Sequence, residues 1–211
     1  AALPKVTATR DHGAEVELHG TTVDEALAEA KRYAEETGAV FVHPFDNEDI
    51  IAGQGTIGLE ILEQVPEVDT IIVGVGGGGL LAGLSAAVRA KEEQLGKKIR
   101  IIGVQAEHAA AYPLSLAADA LLLLMKVSTI ADGIAVGRPG QLPFSIIKKL
   151  VDDVATVSED DIARALIFLM ERNKLVVEPA GSVPVAALMN GKLKETYGDL
   201  GTVVCVLSGG N

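Results

Sequence analysis

The sequence predicts an α/β fold in which helices cover both faces of a mostly parallel sheet. Apolar runs alternate with amphipathic segments at helical spacing along most of the chain. Thr70 to Val75 (TIIVGV) is almost continuously apolar, which is typical of a central strand buried on both faces. Apolar residues make up 48% of the chain and aromatic residues only 3%, so Ala, Val, Ile and Leu must fill the interior.

Strands and helices are predicted in alternation. The strands are predicted over 13–18, 39–42, 70–75, 99–104, 154–157 and 202–207. The helices are predicted over 22–37, 55–64, 80–95, 144–151, 158–173 and 183–189. Gly38 is the expected end of the first helix, and Ser158 with Asp161 forms a capping box at the start of the fifth. In the region 112–140 the apolar residues show neither helical nor strand periodicity, so this region is predicted to be a long connection.

Composition and charge exclude several classes of function. A formal net charge of −11 argues against non-specific binding of nucleic acid or of an anionic membrane surface. No apolar stretch is long enough for a membrane span. The single cysteine, Cys205, lies in an apolar run and can form no internal disulfide, so we expect a reducing, cytoplasmic location. A nucleophilic role for Cys205 is not favoured.

Four successive glycines, Gly76 to Gly79, stand between a predicted buried strand and a predicted helix. Such a loop can aim several backbone N–H groups at one anion, and the helix dipole adds to the attraction, so a phosphate is the expected ligand. A close-packed turn without a ligand is one alternative. A dinucleotide site is another, because Gly74 to Gly79 satisfies GxGxxG and the acid Glu107 lies near the end of the next strand.

Several runs along the chain together resemble the fold-type-II pyridoxal-phosphate enzymes, and among them the threonine ammonia-lyases (threonine dehydratases). The most specific run is 51–60 (IAGQGTIGLE). Other matching runs include 76–80 (GGGGL), 102–107 (IGVQAE), 129–133 (TIADG), 176–181 (VVEPAG) and 207–211 (LSGGN). The resemblance implies a fold like that of tryptophan synthase β, of which this chain would hold an incomplete part. Residues 1–45 would be the C-terminal remainder of the small domain, and 46–211 the large cofactor-binding domain.

The same resemblance implies a site for pyridoxal 5′-phosphate. In it, main-chain donors of the glycine loop hold the phosphate, a serine hydroxyl meets the pyridine nitrogen, and an acid lies near the ring. A neutral hydroxyl there does not hold the nitrogen protonated, which suits β-elimination better than transamination. Without the resemblance, the serine could be a simple turn residue and the acid a helix-start charge. The residues assigned to the cofactor are Gly76, Gly77, Gly78, Gly79, Leu80, Glu178 and Ser208.

The chain departs from the family pattern in two places. The Schiff-base lysine and the asparagine-bearing substrate loop of the family lie upstream of the segment that matches Lys5, so we predict no catalytic residue in this chain. The acids of a cation site found in some relatives are replaced by Gln105 and Ala111, and the four histidines show no metal spacing, so no metal is predicted. His43 is predicted to make a loop contact. For Tyr112, contact with substrate and burial in the packing both stay open.

The function implied for the intact protein is dehydration and deamination of L-threonine, with L-serine as an alternative substrate, to a 2-oxo acid and ammonia. Such a lyase would serve isoleucine biosynthesis or threonine catabolism. A small amino acid is the expected substrate, and a homo-oligomer or a complementary N-terminal fragment is the expected partner. The alternatives are an inactive fragment or split half that lacks the lysine, a serine racemase or serine dehydratase, and a dinucleotide-binding protein.

Overall fold

The computed structural model describes residues 3–209, in which nine α-helices accompany four β-strands. The strands are β1 (Thr70–Gly74), β2 (Arg100–Ala106), β3 (Asp153–Val157) and β4 (Val203–Val206). The helices are α1 (Leu3–Asp11), α2 (Val23–Thr37), α3 (Glu48–Gln64), α4 (Gly79–Leu95), α5 (Ala111–Ala118), α6 (Gln141–Leu150), α7 (Glu159–Phe168), α8 (Pro179–Met189) and α9 (Lys192–Tyr197). Short 3₁₀ turns cover Glu107–Ala109 and Asp132–Ile134, and a π turn covers Leu169–Asn173.

The four strands form one parallel sheet in the order β3-β2-β1-β4. Thr70 at the start of β1 lies opposite Arg100 of β2 and Val203 of β4. Because all the strands run in one direction, the loops that leave β1, β2 and β4 meet at the same edge of the sheet. This edge carries the glycine loop and the segment that contains Ser208.

Helices cover both faces of the sheet, as predicted. On one face Ile72 and Ile102 pack in a cluster with Ile162 of α7 and Val183 of α8. On the other face Ile71 and Ile101 pack with Leu81 and Leu84 of α4 and with Ile147 of α6. The aliphatic core predicted from the composition is therefore two layers, one on each side of β1 and β2.

Helix α3 packs closely on α4 through glycines of the run 51–60. A Cβ at Gly58 would lie 2.9 Å from the carbonyl oxygen of Leu84, and one at Gly55 would lie 3.1 Å from that of Gly83. A Cβ at Gly83 would overlap the carbonyl oxygen of Ile51. These glycines let the two helix backbones approach each other, and the contact helps to hold the start of α4 below the glycine loop.

Two of the predicted strands are wrong. Residues 13–18 and 39–42 form no strand, and neither segment pairs in a ladder with any part of the chain from 3 to 209. A β-strand is stabilised by hydrogen bonds to a neighbouring strand. An apolar pattern within one segment does not show whether such a neighbour is present. The central strands were predicted correctly because they are apolar on both faces.

The predicted helices are present with shifted ends, and three helices were missed. Asn47 accepts hydrogen bonds from the N–H groups of Asp49 and Ile50, so α3 begins at Glu48 and not at 55. The helix predicted over 158–173 ends at Phe168 and continues as the π turn. The capping box of Ser158 and Asp161 is confirmed. The missed helices are α1, α5 and α9, the second of which lies in the region predicted to be a connection.

The division of the chain at residue 45 stays a prediction. Among residues 3–45 the structure buries Val6 alone, whereas the segments that follow supply the two core clusters. Within residues 3–209, no helix combines the length and the apolarity that crossing a bilayer requires.

Candidate functional site

The glycine loop joins the end of β1 to the start of α4 and has no room for side chains. Gly78 has φ of 100°, in the left-handed region, and it is the N-cap residue of α4. A Cβ at Gly78 would overlap the hydroxyl of Tyr112, and one at Gly77 would overlap the ring of Phe45. A Cβ at Gly76 would lie 3.1 Å from Cα of Ile134. The loop is therefore enclosed by three segments that are distant in sequence.

In and around the glycine loop, several backbone carbonyls accept hydrogen bonds, whereas the backbone N–H groups of the loop itself do not donate any within the described residues. The carbonyl of Val75 accepts from Gln105, that of Gly77 accepts from Tyr112 and from the Gly140 N–H, and that of Gly78 accepts from the Ala82 N–H. In contrast, the N–H groups of residues 76–81 donate to no acceptor within residues 3–209. Six successive donors at the positive end of a helix dipole are an arrangement that could hold an anion.

A turn at 43–46 covers one side of this loop. Nδ1 of His43 accepts hydrogen bonds from the N–H groups of Phe45 at 3.2 Å and Asp46 at 2.8 Å. Burial lowers the pKa of His43, which favours the neutral ring that this acceptor role needs. The Asp46 carboxylate accepts from the N–H groups of Gln141 and Leu142, both at 2.9 Å, at the start of α6. His43 is a loop contact, as the sequence predicts.

A second wall of the site is built by Glu178 and the segment after β4. Glu178 is the N-cap residue of α8, and its N–H donates to the carbonyl of Gly209 at 3.2 Å. A Cβ at Gly181 would overlap the carbonyl oxygen of Ser208, so the segment lies directly on the first turn of α8. The hydroxyl of half-buried Ser208 forms no hydrogen bond with residues 3–209. It is available to a ligand.

The Glu178 carboxylate forms an ion pair with the ammonium of Lys5, a contact that the sequence did not predict. Its side chain is only 11% exposed, and Nζ of Lys5 lies 3.1 Å from Oε2. The same Nζ lies 3.5 Å from Asp132. Burial opposes the charge of Lys5, but the hydrogen bond and attraction of Glu178, aided by Asp132, raise the pKa of Lys5. No local pattern predicts this pair, because Lys5 and Glu178 lie near opposite ends of the chain.

The glycine loop and the wall formed by Glu178 meet through the 3₁₀ turn that follows Ala131. A Cβ at Gly76 would lie 3.4 Å from the carbonyl oxygen of Gly133, and a Cβ at Gly133 would lie 2.6 Å from Oε1 of Glu178. Val73 of β1 is also the ladder partner of Val206 of β4. The structure thus brings the predicted glycine loop, Glu178 and Ser208 to one end of the sheet. The last two residues of the run 207–211, Gly210 and Asn211, lie outside the described residues.

The other candidates lie elsewhere or serve the packing. Tyr112 is fully buried, which settles its open role in favour of packing. Glu107, the acid of the dinucleotide alternative, is exposed and lies 3.8 Å from His108. Burial raises the pKa of Cys205 to about 11, so its thiol stays protonated near neutral pH and is a poor nucleophile.

One group of possible metal ligands could not be predicted from the spacing of the histidines, because it contains only one histidine. Ligand atoms of Glu17, His19 and Glu29 lie within 4.8 Å of one another. Glu17 and His19 are exposed, and Glu29 already forms an ion pair with Arg32. The candidate cation site is empty, and exposed acidic groups of this kind are common without an ion. The prediction that the protein binds no metal stays a prediction.

Comparison with known proteins matches this architecture to one family. The model of the pyridoxal-phosphate dependent enzymes matches residues 1–209. The L-threonine ammonia-lyase of Geobacter sulfurreducens is 50% identical over 207 residues, which are 98% of this chain and 50% of that protein. The L-threonine ammonia-lyase of Thermotoga maritima is 47% identical over 211 residues, which are 100% of this chain and 51% of that protein. The chain therefore spans about half the length of these two relatives.

Solved structures agree in fold over nearly the whole chain. The threonine deaminase of T.th. is 38% identical with a TM-score of 0.87, and the match covers 98% of this chain and 66% of that one. Maize serine racemase is 35% identical with a TM-score of 0.92, and the match covers 100% of this chain and 63% of that one. The chain belongs to the family of pyridoxal-phosphate dependent enzymes.

Proposed function

We propose that this chain forms the phosphate-binding side of a pyridoxal 5′-phosphate-dependent lyase that converts L-threonine to a 2-oxo acid and ammonia. The observation that carries the proposal is the run of N–H groups at 76–81, which find no acceptor within the described residues, close to the wall that bears Ser208. The two relatives named L-threonine ammonia-lyase, at 50% and 47% identity, support threonine as the substrate. L-Serine is the alternative substrate.

The residues present fit the cofactor. The N–H groups of Gly76, Gly77, Gly78, Gly79 and Leu80 would hold its phosphate without a charged side chain. The hydroxyl of Ser208, which has no partner within residues 3–209, would meet the pyridine nitrogen, and Glu178 would lie near the ring. Bound pyridoxal 5′-phosphate supplies an electron sink for the charge left when the Cα proton of an amino acid is removed. The protein groups bind, orient and shield it.

None of the lysines of this chain is proposed to carry the cofactor covalently. Lys5 reaches the site wall, but two carboxylates bind its ammonium, and a raised pKa keeps it protonated and poorly nucleophilic. We therefore propose that a complementary segment supplies the catalytic lysine, with 1–45 as part of a small domain and 46–211 as the large one. The isolated chain would then bind the cofactor without turning over threonine. A homo-oligomer and a cytoplasmic location stay predictions.

Titration of the 211-residue chain with pyridoxal 5′-phosphate and with pyridoxal tests the phosphate site. The expected result is reversible binding of the phosphate ester, much weaker binding of pyridoxal, and no 2-oxo acid formed from threonine. Saturation by NADH and not by pyridoxal 5′-phosphate would support the dinucleotide alternative instead. Borohydride reduction followed by mass spectrometry tests the lysine, since a stoichiometric adduct at one lysine would contradict the proposed absence.

Serine racemase is the second candidate, because the backbone superposes on maize serine racemase with a TM-score of 0.92. The two activities differ in their products. In the chain combined with its complementary segment, we expect threonine to yield a 2-oxo acid and ammonia. Conversion of L-serine to D-serine at a higher rate than any elimination would favour the racemase.

A further inference from the structure

Two fully buried polar side chains lie beneath the glycine loop. Gln105 is the second-last residue of β2 and Tyr112 is the second residue of α5, and both are 0% exposed. Nε2 of Gln105 donates to the carbonyl of Val75 at 3.1 Å, and its Oε1 accepts from the N–H of Tyr112 at 2.8 Å. The hydroxyl of Tyr112 donates to the carbonyl of Gly77 at 3.0 Å. A buried polar group is retained only with such partners, so this pair is tied to the loop above it.

These hydrogen bonds decide which way two peptide groups of the loop point. In a planar trans peptide, the C=O of one residue and the N–H of the next point in opposite directions. The carbonyl of Val75 shares its peptide group with the N–H of Gly76, and the carbonyl of Gly77 shares its group with the N–H of Gly78. With both carbonyls held toward Gln105 and Tyr112, both N–H groups face the opposite side, where the described residues offer no acceptor.

We propose that Gln105 and Tyr112 are positioning residues for the cofactor phosphate: they hold the peptide groups of the glycine loop with the N–H groups of Gly76 and Gly78 aimed at the anion. The inference rests on the proposed function, since it assumes that the anion is the phosphate of pyridoxal 5′-phosphate. Neither side chain touches the phosphate in this arrangement. They act through the two carbonyls of the loop.

The environment of Tyr112 keeps its hydroxyl protonated, so that the hydroxyl can always donate a hydrogen bond. Burial, followed by the nearby charge of Asp46, strongly raises the pKa of Tyr112, so the hydroxyl keeps its proton at any working pH. The ring lies 6.5 Å from that of Phe144. The N–H of Gly140 donates to the same Gly77 carbonyl at 3.0 Å. Loss of the hydroxyl alone therefore leaves this carbonyl paired, and the fold should survive Tyr112→Phe.

The test compares Tyr112→Phe with Tyr197→Phe in the 211-residue chain. Tyr197 also donates its hydroxyl, to Asp153, but its ring lies on Arg100 at the start of β2, the opposite end of the strand from Gln105. Tyr112→Phe should weaken the binding of pyridoxal 5′-phosphate by about two- to five-fold, less than the loss of a direct hydrogen bond, because the Gly140 N–H still pairs the Gly77 carbonyl. Tyr197→Phe should leave it unchanged. Equal binding by Tyr112→Phe and the unaltered chain, or equal losses in both variants, would overturn the inference.

Amide NMR supplies a measurement that a merely structural role would not change. Addition of inorganic phosphate should shift the amide resonances of Gly76 and Gly78 in the unaltered chain and shift them less in Tyr112→Phe. Gln105→Leu, which removes both hydrogen bonds of the amide, should weaken binding at least as much if it folds. If the unaltered chain binds neither pyridoxal 5′-phosphate nor phosphate, the proposed function fails and this inference with it. If it binds both and Tyr112→Phe binds equally well, this inference alone fails.

Discussion

The ammonium of Lys5 in α1 lies 3.1 Å from the carboxylate of Glu178 at the start of α8, and this ion pair joins the first helix of the chain to the wall of the site. Glu178 is largely buried, whereas the Lys5 side chain is 42% exposed. Asp132, at 3.5 Å from the same ammonium, extends the contact to the 3₁₀ turn beside the glycine loop. The pair therefore holds together three segments that enclose the proposed ring site.

Lys5→Met should destabilise the chain, because it leaves the Glu178 carboxylate without its cation. Exposure of Lys5 limits the loss of unfolding free energy to about 1 kcal/mol. The pKa of Lys5 is raised in the folded state, so its contribution is complete below the unfolded pKa of about 10.4 and is lost as the pH rises through the folded value. Urea unfolding at pH 7 and pH 11 checks this.

The difference between Lys5→Met and the unaltered chain should be present at pH 7 and should shrink at pH 11. Lys5→Arg, which keeps the charge, serves as the control and should resemble the unaltered chain at pH 7. A Lys5→Met variant of unchanged stability at pH 7 would show that the ion pair contributes nothing measurable.

Gly78→Ala should abolish cofactor binding, because the added Cβ would overlap the hydroxyl of Tyr112 and would occupy a left-handed backbone position. The strain and the displaced tyrosine should together cost about 2 kcal/mol or more of unfolding free energy. Gly96→Ala is the matched control, since Gly96 also has a positive φ, of 64°, but a Cβ there meets nothing within 4 Å.

Gly96→Ala should cost about 1 kcal/mol and leave the dissociation constant for pyridoxal 5′-phosphate unchanged. Fluorescence titration of both variants, paired with thermal unfolding, separates the two effects. Undiminished binding by a folded Gly78→Ala protein would refute the role given to the glycine loop.

Ser208→Ala should weaken the binding of pyridoxal 5′-phosphate by about five-fold, the effect of one lost hydrogen bond, with little change in stability. The hydroxyl has no partner among residues 3–209, so its removal leaves no buried group unpaired there. Ser145→Ala removes an exposed hydroxyl of α6 that donates to Leu142, and it should not alter binding. A Ser208→Ala variant that binds with full affinity would favour the simple turn residue.

Gly83→Ala should destabilise the fold at the crossing of α3 and α4. Its Cβ would overlap the carbonyl oxygen of Ile51 and lie 2.8 Å from the backbone nitrogen of Gly55, and overpacking of this kind costs about 1–3 kcal/mol. Gly53→Ala, in the same pair of helices, meets nothing within 4 Å and should stabilise the chain by about 0.5–1 kcal/mol. Urea unfolding of both variants checks the opposite signs.

Much of the site could be predicted because each of its parts has a local signal. The glycine run follows a buried strand, and the segments of Glu178 and Ser208 carry family motifs. The sequence alone therefore predicts each of these parts as a candidate for the site. The contacts between these parts had no such signal. In sequence, Lys5 is an ordinary lysine of a polar segment with no predicted helix, and for Tyr112 the sequence favoured neither substrate contact nor packing.

The sequence by itself determined the class of the fold, the central strands and the place of the glycine loop between β1 and α4, because continuous apolar runs, caps and glycine repeats act over a few neighbouring residues. Only the tertiary structure decided that 13–18 and 39–42 form no strand, because a ladder needs a partner. It alone decided that Tyr112 and Gln105 hold the loop and that Lys5 binds Glu178. Those pairs exist because a parallel sheet gathers the ends of its strands at one edge, and no short stretch of sequence records which side chains meet there.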